Sequence, residues 1–420
     1  MEKEHLSQLV FNQAKKYGDK IAMRYRDEET SQWLPISWNN FAEQVKYASK
    51  SLYDNGLKEQ QPVGIFSQNK PECLIIDFAL FSNRGISIPM YATSTVEQIE
   101  YIVNDAKITA IFVGEQYQYD VALAVLKKSD FLKRIVAFDS TVKIEKDGSS
   151  FYYKDFIEKG KESQSDAEVD TRLFKATEDD IATIMYTSGT TGEPKGVVIP
   201  HSCYNEALRI HDIRLHFIQD TYSSLSFLPI THIFERTWCY FCFHRGVRID
   251  VNLKPSEIQR AIKETKPEMM CAVPRFWEKV YAGITEKLET YSPAMLAVVA
   301  WSIAIGKKYN INYLKEEKKL PLILKLKYFI ADKLVFSKLK KTLGIENGIL
   351  YPTAGAALAD DINIFFRSLG IPITYGYGLT ESTATVCCFD RTLYQFGSVG
   401  KIMPDVQVKI GEENEILLKG

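Results

Sequence analysis

Short apolar runs alternate with helical stretches between residues 62 and 138, and this alternation limits the fold of the 420-residue chain more than any other feature. Residues 62–66, 86–90, 109–113 and 134–138 read as buried strands, with helices predicted over 71–81, 96–106 and 121–132. Strand–helix–strand repeats of this length close as right-handed crossovers. They build a mostly parallel sheet covered by helices on both faces. The expected class is therefore α/β. A chain this long exceeds one ordinary core, so two or three packed units are predicted. Approximate subdomains of 1–160 and 181–390 are expected, with the polar segment 139–180 read as a surface connection. Short strands over 391–420 read as part of a small β-barrel.

The second informative stretch is Tyr186-Thr187-Ser188-Gly189-Thr190-Thr191-Gly192-Glu193-Pro194-Lys195-Gly196. Four Ser/Thr hydroxyls, three glycines and a lysine in eleven positions make a loop dense in donors. Glycines allow successive N–H groups to turn toward one concave point, and Lys195 brings a mobile positive charge to a polyphosphate. A Walker P-loop is excluded, because Lys195 lies between Pro194 and Gly196 and leads into the apolar run Val197-Val198-Ile199, not a helix. A plain Gly/Thr-rich hairpin is the competing reading. Residues 179–185 read as the buried strand that presents the loop.

This stretch closely resembles the signature loop of the adenylate-forming enzymes, the superfamily of acyl-CoA synthetases, peptide-synthetase adenylation domains and firefly-type luciferases. The resemblance implies ATP-dependent activation of a carboxylate. It also implies the large N-terminal domain of that superfamily, with two mostly parallel βα subdomains and a small β-barrel-like one. Further along, Leu228-Pro229-x-x-His232-x-Phe234-Glu235-Arg236 looks like the second motif of the long-chain acyl-CoA synthetases, which puts His232 at the carboxylate being activated. The run Val273 to Tyr281 is similar to the same branch, although Trp277, Val280 and Tyr281 on one helical face suit packing equally well. Tyr375-Gly376-Tyr377-Gly378-Leu379-Thr380-Glu381 contains the superfamily's third motif intact. It implies Tyr377 on adenine, Thr380 on the α-phosphate or acyl carboxylate, and Glu381 as a Mg²⁺ ligand, with Thr187 a candidate second ligand. The usual Ser-Gly-Gly-Ala is here Thr353-Ala354-Gly355-Ala356. Gly355 and Ala356, which match, are the expected adenine neighbours.

The expectation is thus a long-chain fatty acid–CoA ligase using ATP and Mg²⁺, with CoA as co-substrate. Alternatives are an acyl–carrier-protein synthetase, another carboxylate activator, or a non-catalytic nucleotide or acyl binding module. The ribose-binding aspartate, hinge and smaller C-terminal domain of complete relatives find no match, so a cut-short and weakly active chain is expected. A net charge of −1 argues against a nucleic-acid partner. The charged start and seven scattered cysteines suit the cytoplasm. The pair Cys239 and Cys242 reads as core and not as a metal site. Residues 282–341 read as a helical insertion, with 294–305 a buried helix too short to span a bilayer. Its part 307–341 holds eleven lysines against Glu316, Glu317 and Asp332, a net +8. Peripheral contact with an anionic membrane there is weighed against a merely solvated basic face.

Overall fold

The computed structural model describes residues 5–27, 29–187 and 193–420, which form two compact units. The first comprises 1–209, 219–221 and 229–255; the second comprises 210–218, 222–228 and 256–420.

The first unit contains the predicted parallel sheet. Its seven strands run Ser150–Tyr152, Arg134–Ala137, Ala110–Val113, Pro62–Phe66, Ile86–Met90, Ile181–Thr187 and Lys195–Pro200 across the sheet. All neighbours pair in parallel except the last two, which form an antiparallel hairpin. The four strands from Arg134–Ala137 to Ile86–Met90 bury nearly all their side chains, as sheets covered on both faces require: Phe66, Ile88, Ile111, Val113 and Ile135 sit in one core cluster. The helix Pro71–Ser82 is apolar on every side and is buried at every position but Glu72. A small second sheet pairs Ile21–Arg26 with Arg248–Val251 in parallel and with Trp33–Ser37 in antiparallel.

Two expectations need correction in this unit. The segment 139–180 is not a bare connection. It holds the edge strand Ser150–Tyr152 and the helices Tyr153–Glu162 and Asp166–Phe174. Its first helix packs so closely on Trp38–Asp54 that a Cβ on Gly160 would lie 1.9 Å from the Tyr47 carbonyl oxygen. The helix predicted over 121–132 runs instead over Gln116–Leu126, where the Gln118 side chain caps the Glu115 N–H at 2.9 Å.

The second unit has its own mixed sheet. Ser224 bridges Met269 in parallel, and Met269 and Ala272 bridge Leu350 and Thr353. Tyr351–Thr353 then pairs in parallel with Ile373–Tyr377, and Cys387–Cys388 and Lys401–Ile402 follow as antiparallel neighbours. Gln407–Ile410 and Ile416–Lys419 make a separate hairpin, and no closed barrel forms among the described residues. Trp277, Tyr351 and Phe366 pack together beside the sheet, with ring centroids 5.0–5.6 Å from Trp277.

The insertion is helical, with two π-helical stretches, Lys307–Leu314 and Asp332–Phe336, flanking 315–331. The helix Pro293–Gly306 is not buried as expected: only Val299, Ser302 and Gly306 are, while Met295, Leu296 and Trp301 are exposed. The small residues mark its packed side, since a Cβ on Gly306 would lie 2.1 Å from the Ser368 carbonyl oxygen. Apolar composition around the whole helix could not show this. No helix among the described residues is long and apolar enough to cross a membrane.

Candidate functional site

The expected site residues fall into two sets, one in each unit. In the first unit the sheet places three strand ends side by side, those of Pro62–Phe66, Ile86–Met90 and Ile181–Thr187. Carboxyl ends of parallel strands are where open α/β sheets take ligands. Thr187 closes the third strand, half-buried, and faces Lys195 directly across the hairpin; the Lys195 side chain is exposed. The intervening Ser188, Gly189, Thr190, Thr191 and Gly192 lie outside the described residues.

The flanks of that loop are fixed from below. The Tyr186 hydroxyl donates to an Asp105 carboxylate oxygen at 2.5 Å, and burial with this acidic partner raises its pKa. Gly196 passes over the Tyr186 ring, where a Cβ would lie 2.9 Å from Ile184 and 3.3 Å from the ring. Tyr186 and Gly196 are thus anchors of the hairpin, and Thr187 and Lys195 stand beside them.

His232 stands before the helix Ile233–His244, over the same edge of the sheet. Two residues that the motifs do not contain hold it there. Asn69, beyond the first strand end, accepts the Ile230 N–H at 2.9 Å, and Tyr91, just beyond the second, meets the His232 ring at 5.9 Å. Beneath lies a buried network. Arg236 pairs with Asp77 and donates from Nε to the Ile230 carbonyl at 3.0 Å; Tyr240 and Ser87 donate to Asp77 at 2.9 and 2.6 Å. Arg236 therefore shapes the turn that presents His232. The histidine is exposed, yet the partial desolvation of its cation lowers its pKa, so the neutral imidazole is favoured near pH 7.

Asn69 and Tyr91 carried a usable sequence signal. Tyr91 follows a buried strand directly and Asn69 comes after one with Ser67 and Gln68 between, each in a polar break that the strand–helix alternation does not require.

In the second unit, Thr353 ends one strand and accepts a hydrogen bond from the Trp277 indole at 2.9 Å. Gly355 follows with φ +93, in the left-handed region, and a Cβ there would find nothing nearer than Val273 at 3.9 Å. This is open space above a backbone shelf, which suits a flat ring. The Tyr375 hydroxyl donates to the Ala356 carbonyl at 3.2 Å, tying the shelf to the neighbouring strand. Gly376 and Gly378 have a different reason: a Cβ on either would strike backbone oxygen, Cys387 at 2.8 Å and Ala384 at 1.4 Å. They let the chain turn back closely after Tyr377, whose ring is half-buried. Thr380 is half-buried and Glu381 exposed in that turn, which closes through Thr383 and Ala384 at φ +49 and +85. Two successive non-glycine residues with positive φ are strained, and such strain collects at ligand sites.

The first unit offers a lysine and a hydroxyl of the kind that suit phosphate oxygens; the second offers an open shelf that suits a flat ring and an exposed carboxylate that suits a hard cation. Among the described residues no three His, Cys, Asp or Glu side chains cluster to hold a metal alone.

The AMP-binding enzyme family matches residues 10–419. A long-chain-fatty-acid–CoA ligase, ACSBG2, of Xenopus laevis is 27% identical over 96% of the chain, which spans 55% of that protein. Fatty acyl-CoA synthetase B of Dictyostelium discoideum is 29% identical over 96% of the chain, which spans 59% of it. The chain thus spans little more than half the length of these relatives. Among solved structures, the anthranilate CoA ligase AuaEII bound to anthranoyl-AMP superposes with TM-score 0.71 at 15% identity, over 99% of this chain and 68% of that one. The N-terminal domain of FACL13 from Mycobacterium tuberculosis superposes with TM-score 0.68 at 17% identity, over 99% and 86%. The fold is that of the adenylate-forming N-terminal domain, and the chain belongs to the AMP-binding enzyme family.

Proposed function

We propose that this chain is the adenylating part of a long-chain fatty acid–CoA ligase. The observation that carries the reading is the carboxyl edge of the first sheet, where Thr187 and an exposed Lys195 face each other and Asn69 and Tyr91 hold His232 over the neighbouring strand ends. A carboxylate oxygen of the fatty acid attacks the α-phosphorus of ATP, the bond to the β-phosphate oxygen breaks, and acyl-AMP and pyrophosphate form. The thiol of CoA then displaces AMP from the acyl carbon.

The first step needs positioned positive charge more than a general base. Lys195 meets the leaving pyrophosphate, with Ser188, Gly189, Thr190, Thr191 and Gly192 as further phosphate donors. His232 lies by the carboxylate, and its neutral form can donate a hydrogen bond to it. Thr380 binds the α-phosphate; Gly355, Ala356, Gly376, Tyr377 and Gly378 receive the adenine. Glu381 would hold Mg²⁺, with Thr187 a candidate second ligand, and the ion would supply neutralisation of the phosphate charge. In the cell the protein works in the cytoplasm, at the inner face of the membrane, through the basic insertion 307–341.

ATP–pyrophosphate exchange with fatty acids of graded length tests the reading. Exchange that rises with long acyl chains is expected. No exchange with any acid would leave only a binding module, and a preference for short or aromatic acids would move the chain to another branch of the family.

A further inference from the structure

The second unit contains a cavity of about 390 Å³ that none of the adenylation residues enters. It is walled by the helices Ile258–Thr265, Pro274–Glu289 and Ser337–Leu343. Its lining is apolar, with Ile262, Trp277, Val280, Ile284, Leu288 and Leu343 among its walls. Trp277, Ile262 and Ile284 are buried. The charged groups on the lining are Lys263, Lys279 and Lys287, all exposed, and no carboxylate lines it. Lys279 and Lys287 lie eight residues apart, about two turns, on the same helical face.

Between these two lysines sits Gly283, and its place is unusual. A mid-helix glycine costs roughly 0.5–1 kcal/mol relative to alanine, so it normally serves a close contact or a left-handed turn. Gly283 serves neither: its φ is not positive, and a Cβ there would meet nothing within 4 Å. It is exposed and lies on the cavity lining between the two lysines, with open space where a side chain would start.

We propose that this cavity is a binding site for a single-chain anionic amphiphile, with the hydrocarbon chain in the apolar interior and the anionic head at Lys263, Lys279 and Lys287. The volume falls in the range of small-molecule sites, and an apolar interior with a few convergent charges is their usual construction. The cationic rim selects the sign of the head group, and the apolar lining selects an alkyl chain over a free anion. A carboxylate or a phosphate satisfies the rim, so a free fatty acid and a lysolipid phosphate share the required chemistry. The inference stands on this cavity alone and does not depend on the adenylation reading.

Trp277 provides the readout, because bromine in contact with an indole quenches its fluorescence. The 420-residue chain is first saturated with a non-hydrolysable acyl sulfamoyl adenosine, then titrated with 12-bromododecanoate and, separately, with 12-bromododecyl phosphate. Saturable quenching that disappears in Trp277→Phe is expected with at least one of them, and the tighter probe identifies the head group. Gly283→Leu fills the wall with a better helix former and should weaken binding about tenfold or more. The triple change Lys263→Gln, Lys279→Gln, Lys287→Gln leaves the apolar interior intact and should weaken the anionic probes while sparing 12-bromododecanol. Absence of quenching in the wild type, unchanged affinity in both variants, or equal affinity for the neutral alcohol would overturn the proposal. Exchange activity measured in parallel keeps the two questions apart, since loss of exchange with quenching intact counts only against adenylation.

Discussion

At the scale of single residues, the motifs divide into groups that build the site and groups that would act in it. Tyr186, Gly196, Gly376 and Gly378 have complete structural explanations in close contacts. Lys195 and Glu381 have exposed side chains, and the substitutions that test function belong there. Lys195→Ala removes a charged hydrogen bond of about 1.5–3 kcal/mol, so ATP affinity should fall by roughly ten- to a hundredfold. Fatty acid affinity should hardly change; calorimetry that found ATP binding equally tight in both proteins would count against the role of Lys195. Glu381→Gln keeps the shape and removes the anionic ligand. Nucleotide affinity should then lose its dependence on Mg²⁺, with the thermal midpoint of the unliganded protein unchanged. A midpoint many degrees lower would make Glu381 a structural residue. Residue types at fixed spacing made these positions legible. For Asn69 and Tyr91 a polar break after a buried strand marked only the position; their roles, and that of Asp77, depend on which strand ends the sheet brings together, and one chain's local pattern does not record strand order.

At the scale of elements, the strands of the first sheet were legible because burial on both faces leaves an unbroken apolar run. The helices of 139–180 were missed for the opposite reason: Tyr153–Glu162 and Asp166–Phe174 are polar on most sides and bury only a few positions, among them Phe156, Val169 and Leu173. The insertion shows a third case, apolar side chains that face solvent. In Leu322–Ala331, Leu322 is 81% and Leu326 62% exposed, and Ile323 and Phe329 are exposed as well, interspersed with Lys325 and Lys327. Exposed aliphatic groups among lysines suit an anionic bilayer surface, where each lysine contributes about 1 kcal/mol and the apolar groups enter the headgroup boundary. Co-sedimentation with vesicles containing phosphatidylserine should therefore exceed that with purely zwitterionic vesicles, and should fall as salt rises. Leu322→Asp with Leu326→Asp should abolish it at any salt. Equal binding of both proteins to anionic vesicles would restrict the contact to charge alone, and no binding by either would remove it.

At the scale of the whole molecule, the division into two units bears on how stability should be measured. Chains with more than one unit need not unfold in a single step, so unfolding has to be followed by a probe belonging to one unit. The first unit contains a histidine suited to this. His201 is buried, its ring 5.0 Å from Phe81 and 4.5 Å from His5, and its backbone N–H donates to the Asp180 carbonyl at 2.9 Å. Burial, with the neighbouring His5, lowers its pKa to about 3, against an ordinary value of 6.5. Because the folded value is the lower one, the unfolded chain takes up a proton first as pH falls. The contribution of the neutral ring is fully present above pH 6.5 and is lost progressively down to about pH 3. At one pKa unit per 1.36 kcal/mol, the full loss is on the order of a few kcal/mol, a large part of an ordinary domain's stability. Urea unfolding of the first unit, followed by hydrogen exchange at its sheet amides, should show a midpoint that falls steadily from pH 6.5 toward pH 4. His201→Phe cannot be protonated and should flatten that slope, even if the larger ring lowers the midpoint at every pH. If the wild type and His201→Phe lose stability in parallel across this range, the acid sensitivity lies in the carboxylates, and His201 is a passive member of the core.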